Sequence, residues 1–157
     1  MPERLFRFFL KFLLVSVVLS FLWVWRLNQD YVSFFVTTVH FFSFLSGLNL
    51  SLPIPTSFFH NLIPFTALML VTPPVLSARR LWLVFAGWLI MLLEHLLVSI
   101  YLYQLLDVWK VSDSTYSWFI TPLSILSGTF PFLLWLLLLR EQTKLLFIRR
   151  AYSNSPK

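Results

Sequence analysis

Hydrophobic residues gather into long runs, separated by short polar or proline-containing segments. Four runs predict transmembrane helices, at residues 6–25, 57–72, 81–103 and 118–139. A helix of about 20 residues is about 30 Å long, which matches the hydrocarbon core of a bilayer. The run 57–72 is the shortest and contains Pro64, so we expect neighbouring helices to shield it from lipid.

Residues 31–50 follow a different pattern. Polar and small residues recur along this segment at steps of three and four: Ser33, Thr37, His40, Ser43 and Gly47. This spacing predicts a helix with one polar face, although the many β-branched residues also allow a strand. We favour a helix that lies at the outer membrane surface or packs between spans. If residues 31–50 also crossed the membrane, residues 79–80 and the basic C-terminus would lie on the opposite side from the basic N-terminal residues.

The basic residues give the expected orientation. Of the 12 Lys and Arg residues, all but Arg26 and Lys110 fall on one side if both termini and residues 79–80 are cytoplasmic. The sequence therefore predicts an all-α transmembrane protein with a single domain over residues 1–157. Its expected architecture is a four-helix membrane bundle with both ends inside, plus one outer-side amphipathic or re-entrant helix. The expected location is the bacterial inner membrane, with several passes.

Composition supports the membrane class and narrows the partners. Hydrophobic residues make up 59% of the chain, charged residues 11%, and the mean hydropathy is +0.82, which excludes an ordinary soluble domain. The net charge of +6 would suit a protein that binds nucleic acid, but the basic residues flank the apolar runs instead of forming one basic surface. Lipids and other membrane subunits are the expected partners, and nucleic acid is not.

Glu94 is the sharpest candidate for function, because it lies inside the run 81–103. A carboxylate at such a depth costs roughly 3 kcal/mol on insertion scales. Helical spacing places it on a face with Gly87, Met91 and Val98. Two interpretations stay open: a site for a proton or substrate, and a polar contact that fixes helix packing.

Three histidines and one asparagine complete the candidate polar residues. His95 lies about 100° round the helix from Glu94, so we expect the two not to bind one ion together, and an interhelical hydrogen bond is expected for His95. His60 and Asn61 predict an outward-facing polar pocket that His40 would share. The alternative is that they cap a short helix and satisfy its backbone.

The chain lacks the sequence motifs of several common enzyme classes. It has no Cys, no glycine-rich phosphate loop, no serine nucleophile elbow and no zinc-binding pattern, so we predict no catalytic residue, no cofactor and no metal. Three small residues of the last run, Ser124, Ser127 and Gly128, predict a stripe on which another helix can approach closely.

A resemblance covers about residues 55–103. The stretch 59–73 reads Phe-His-Asn-Leu-Ile-Pro-Phe-Thr-Ala-Leu-Met-Leu-Val-Thr-Pro, and it is followed by Arg79-Arg80-Leu81 and by a span that contains Glu94-His95. It resembles the small membrane proteins associated with bacterial exosortases, especially the exosortase H-associated type. The resemblance implies an accessory role in the sorting or processing of surface proteins, and it assigns no catalytic residue. Exosortases resemble cysteine transpeptidases, and this chain has no Cys for that mechanism.

Three hypotheses for function follow. The first is a non-enzymatic accessory subunit of a membrane protein complex, of the exosortase type, with partners on the small-residue stripe and on residues 31–50. The second is a small proton-coupled transporter that uses Glu94. The third is an intramembrane enzyme with an outer-face site of His40, His60 and Asn61.

Overall fold

The computed structural model describes residues 2–47, 52–73 and 77–140. Within these ranges the chain is helical apart from its connecting segments, and it contains no strand. The helices are α1 (Pro2–Leu22), α2 (Asn28–Ser46), α3 (Leu62–Val71), α4 (Ala78–Tyr103) and α5 (Asp113–Leu138). Two π-helical turns, Trp23–Leu27 and Gln104–Val108, and one 3-10 turn, Phe59–Asn61, adjoin them. The all-helical fold predicted from the sequence is confirmed for this part of the chain.

Three helical segments are long and apolar enough to cross a membrane: Leu5–Leu45, Ala78–Val108 and Asp113–Leu138. The first has 41 residues and is therefore about 60 Å long, roughly twice the thickness of the hydrocarbon core. These lengths and compositions are those of an integral membrane protein. The orientation with both ends inside stays a prediction.

Residues 31–50 do not form a separate element. Over its described part, the segment forms the second half of one continuous helical segment, because α2 continues α1 through the π-helical turn. The polar stretch between them stays helical, and within it Arg26 pairs with Asp30 one turn later at 3.2 Å. The strand alternative is wrong, and the helix ends at Gly47, whose φ of 65° suits glycine. Residues 48–50 lie outside the described part.

The predicted span 57–72 is a shorter helix, Phe59–Val71, about 20 Å long, and therefore too short to cross the core alone. Pro73 follows its end, and the non-helical residues 52–55 precede it. Six of the ten residues of α3 are buried, and α1, α4 and α5 all contact it. The expected shielding is confirmed, but three described helices, not four, have spanning length.

One glycine allows α3 and α4 to pack closely. Gly87 lies on α4 against the ring of Phe65, which is fully buried on α3. A Cβ atom at Gly87 would overlap the ring edge, and even the ring atom Cε2 would lie only 3.0 Å away. The face predicted for α4 is therefore an inner face, since Met91 and Val98 are also buried.

Candidate functional site

Glu94 lies on the inner side of α4, near the middle of that helix. Its side chain is 16% exposed. The hydroxyl of Ser127, on α5, donates to Glu94 Oε1 at 2.5 Å. A hydroxyl that donates to a carboxyl oxygen offsets part of the cost of placing this group among apolar helices.

Asn61 joins this pair from the start of the short helix. Its Nδ2 donates to the backbone oxygen of Ser127 at 2.8 Å and to the Ser127 hydroxyl at 2.7 Å. The backbone contact has a reason in the sequence: in a helix, the carbonyl of residue 127 would accept from the N–H of residue 131, which is Pro131 and has none. Asn61 therefore satisfies a carbonyl that the proline leaves without a helical partner.

His95 is completely buried between α4 and α2. Its Nδ1 forms a hydrogen bond of 2.7 Å with the Tyr31 hydroxyl, and the tautomer of the ring sets which atom donates. The ring also packs on Phe59, with centroids 4.9 Å apart. The expected interhelical hydrogen bond of His95 is therefore present.

Glu94 and His95 approach each other more closely than their positions around the helix suggest, and the expectation that they do not bind one ion together stays a prediction. His95 Nε2 lies 3.3 Å from Glu94 Oε2. The reason is that both side chains turn toward the same interior, although their Cα atoms differ by about 100° around the helix. Neither atom has a well-aligned hydrogen bond to any described residue.

Together these contacts form one continuous polar chain, in the order Tyr31, His95, Glu94, Ser127, Asn61. Four helical elements supply its members: α2, α4, α5 and the 3-10 turn before α3. Asn61 donates to Ser127, and Ser127 donates to Glu94 Oε1. Glu94 is therefore the final acceptor in this part of the polar chain. Ionisable residues inside membrane proteins usually face the interior of the helix bundle and pair with one another, as Glu94 and His95 do here.

The other predicted site residues lie elsewhere. His60 is exposed, with its ring 6.1 Å from that of Trp23. His40 is exposed on α2 and, in the described part of the chain, has no hydrogen bond or ring contact with His60 or Asn61. The predicted pocket of these three residues is therefore not assembled. No group of three His, Asp or Glu residues that would suit a metal is found among the described residues.

The three residues of the predicted small-residue stripe on α5 differ in their exposure. Ser127 is buried and belongs to the polar chain, whereas Ser124 and Gly128 are exposed. Apart from its chain neighbours and its own helix backbone, no atom of the described residues lies within 4 Å of a Cβ placed on Gly128. Two of the three residues therefore remain available to a second helix, and the third is used inside the molecule.

Two important polar residues were missed by sequence reasoning. Tyr31 was read only as the start of an interfacial segment, and no local pattern signals its contact with a residue 64 positions away. Arg80 was assigned to a cytoplasmic loop, but it is only 3% exposed. Its guanidinium donates to the backbone oxygens of Met69 at 3.4 Å and Thr72 at 3.0 Å, so it caps the end of α3.

Comparison with protein-family models, with curated proteins and with solved structures finds no match.

Proposed function

We propose that this protein is a non-enzymatic accessory subunit of a protein complex in the bacterial inner membrane, of the exosortase-associated kind. The proposal rests on one observation: an exposed face of α5 presents small residues, where a lipid-facing helix usually presents large ones. Four of them share one exposed face at helical spacing: Ser117, Thr121, Ser124 and Gly128. Small residues let two helix backbones approach closely, which is how membrane helices associate.

The long first helix supports the same proposal. Only 6% of the apolar window within Leu5–Leu45 is buried inside the molecule. Phe41, Phe44 and Leu45 near its end are 58%, 82% and 62% exposed. A straight, upright helix of about 60 Å would extend beyond the hydrocarbon core, and another protein would cover the apolar surface that lies outside it.

The experiment is a stoichiometric purification of the tagged chain from its native membranes in mild detergent, with a pair of α5 variants. Gly128→Ile places a branched side chain in the exposed small-residue face, and Thr129→Ile places the same side chain at the neighbouring exposed position, outside that face. We expect one membrane protein to co-purify with the wild type and with Thr129→Ile, and to fall at least five-fold with Gly128→Ile. Equal recovery with both variants would reject the α5 interface, and a partner unrelated to surface-protein sorting would reject the exosortase assignment.

A second function is favoured by the polar chain, namely a small proton-coupled transporter that uses Glu94. The supporting observation is the close approach of two ionisable groups inside the helix bundle, with Glu94 Oε2 and His95 Nε2 3.3 Å apart. Glu94→Gln keeps an oxygen that accepts from Ser127 but cannot exchange a proton. In proteoliposomes with an internal pH dye, this variant should lose any proton flux that the wild type shows. Equal flux in both proteins would remove the transporter proposal.

A further inference from the structure

A cavity of about 320 Å³ lies between α2 and α4. Its lining comes from the π-helical turn, α2 and α4: Trp23, Leu27, Asp30, Tyr31, Phe34, Phe85, Trp88, Leu89 and Leu92. Apolar atoms form almost all of this lining. A water molecule inside a protein needs about two to four polar partners, so the cavity suits hydrocarbon and not water.

The cavity has a buried floor and an exposed rim. Trp23 and Leu92 are only 4% and 9% exposed, whereas Phe34 and Phe85 are 53% and 54% exposed. Phe85 belongs to the segment Ala78–Val108, which is long and apolar enough to cross the membrane. Its exposed ring therefore faces lipid, and a lipid chain can enter the cavity from the membrane without crossing water.

Two exposed charges adjoin the cavity. Asp30 is one of its lining residues, and the carboxylate of Asp30 pairs with Arg26 Nε at 3.2 Å. The side chains of Asp30 and Arg26 are 57% and 75% exposed, so each keeps surface for a further partner. An exposed pair of this kind is held together only weakly, so a ligand that carries both charges can contact both side chains.

The position of this pair along the first helical segment fits a lipid head group. That segment begins its apolar part at Leu5, and residues 5–25 make a helix of about 30 Å, which equals the thickness of the hydrocarbon core. In an upright helix, Arg26 and Asp30 then lie where the helix meets the head groups. Trp23, on the floor of the cavity, lies one to two turns deeper.

We propose that this cavity binds an acyl chain of a phospholipid whose head group carries a primary ammonium, with the phosphate at Arg26 and the ammonium at Asp30. A guanidinium donates to phosphate oxygens, and a carboxylate accepts from an ammonium N–H. A choline head group has no N–H to donate, and a glycerol head group has no positive charge. The site is separate from the proposed α5 interface and does not depend on the accessory role.

Three lipids with the same acyl chains test the head group: phosphatidylethanolamine, phosphatidylcholine and phosphatidylglycerol. Binding to the full chain in detergent micelles is measured by native mass spectrometry, as the ratio of lipid-bound to lipid-free protein over a range of lipid concentrations. We expect phosphatidylethanolamine to bind at least three-fold more tightly than either of the other two. Equal binding of the three lipids, or tightest binding of phosphatidylglycerol, would overturn the proposal.

The two charges are tested with matched variants. Asp30→Asn keeps the size of the side chain but removes its charge, so the preference for phosphatidylethanolamine over phosphatidylcholine should disappear. Asp107→Asn, at an exposed position outside the lining, should keep that preference. Arg26→Gln should weaken all three lipids at least three-fold, because all carry a phosphate, whereas Lys110→Gln, also exposed and outside the lining, should not. A preference that survives Asp30→Asn, or equal effects of Arg26→Gln and Lys110→Gln, would contradict the assigned contacts.

The cavity itself is tested with two leucine variants of α4. Leu89→Trp fills the opening, and Leu93→Trp adds the same bulk one turn further along, outside the lining; these leucines are 48% and 57% exposed. Phosphatidylethanolamine affinity should fall at least five-fold with Leu89→Trp only. Glycerophosphoethanolamine, which is the head group without acyl chains, should not compete with the lipid at equal concentration. If the two leucine variants bind alike, lipid covers the exposed helix surfaces in general and the cavity is not a site; competition by the chain-free head group would also refute it.

Discussion

Replacing Gly87 by alanine should destabilise this protein, although alanine is ordinarily the better helix former. Two effects oppose each other. The gain in helix propensity is about 1 kcal/mol. Against it, the new methyl group would overlap the ring of Phe65, which is 0% exposed and therefore has no free space to enter. Overpacking of a well-packed core costs about 1–3 kcal/mol and occasionally more.

Because the overlap is with ring atoms, we expect the upper end of that cost and a net loss of about 2 kcal/mol for Gly87→Ala. Gly128→Ala is the matched control, since Gly128 is also inside a long apolar helix, but no described residue of another element lies within 4 Å of its Cβ position. That variant should be as stable as the wild type or slightly more stable.

The assay is reversible unfolding, followed by circular dichroism, as sodium dodecyl sulfate replaces a mild detergent. Adding Phe65→Leu to Gly87→Ala should recover part of the loss, because the smaller side chain vacates the ring position. The reasoning is refuted if Gly87→Ala is at least as stable as Gly128→Ala, or if the two changes at positions 65 and 87 are simply additive.

Three further predictions use the same unfolding assay. Arg80→Lys should lose about 1.5–3 kcal/mol, because a lysine cannot reproduce the forked contact with two carbonyls, whereas Arg79→Lys, at an exposed position, should change little. Glu94→Gln should stay within about 1 kcal/mol of the wild type, but Glu94→Leu should lose about 1–3 kcal/mol, since a buried hydroxyl then lacks its acceptor. Tyr31→Phe should lose about 1 kcal/mol by removing the bond to His95; an unchanged stability would mean that this bond contributes nothing.

Much of the fold was predictable because lipid imposes simple rules. Hydrophobic runs of sufficient length located the three long helices, and Pro73 marked the end of the short one. The continuity of α1 and α2 was not predicted, because the polar residues 26–30 look like a loop. They are helical in the structure, and the Arg26–Asp30 pair across one turn contributes a few tenths of a kcal/mol, about 0.2–0.5, to that conformation.

The candidate site was predictable only in part. Glu94 and His95 stand out in the sequence as polar residues in an apolar run, and the structure places both in the polar chain. Tyr31 and Ser127 do not stand out, because a hydroxyl residue in a membrane helix can bond its own backbone; Ser124 does so with the carbonyl of Ile120. Which hydroxyls turn inward depends on packing between helices, which one sequence does not give.

The role of Asn61 follows from a proline on another helix. Asn61→Leu should leave the Ser127 carbonyl buried and unpaired and should lose about 1–3 kcal/mol in the unfolding assay. In a Pro131→Ala background the loss should be smaller by about 1 kcal/mol, because the new N–H at position 131 gives that carbonyl a helical partner. A cycle of the two single variants and the double variant isolates this coupling from the cavity that removal of the buried proline ring creates. If Asn61→Leu costs the same in both backgrounds, Asn61 acts only through the Ser127 hydroxyl, and the link between the proline and the polar chain is wrong.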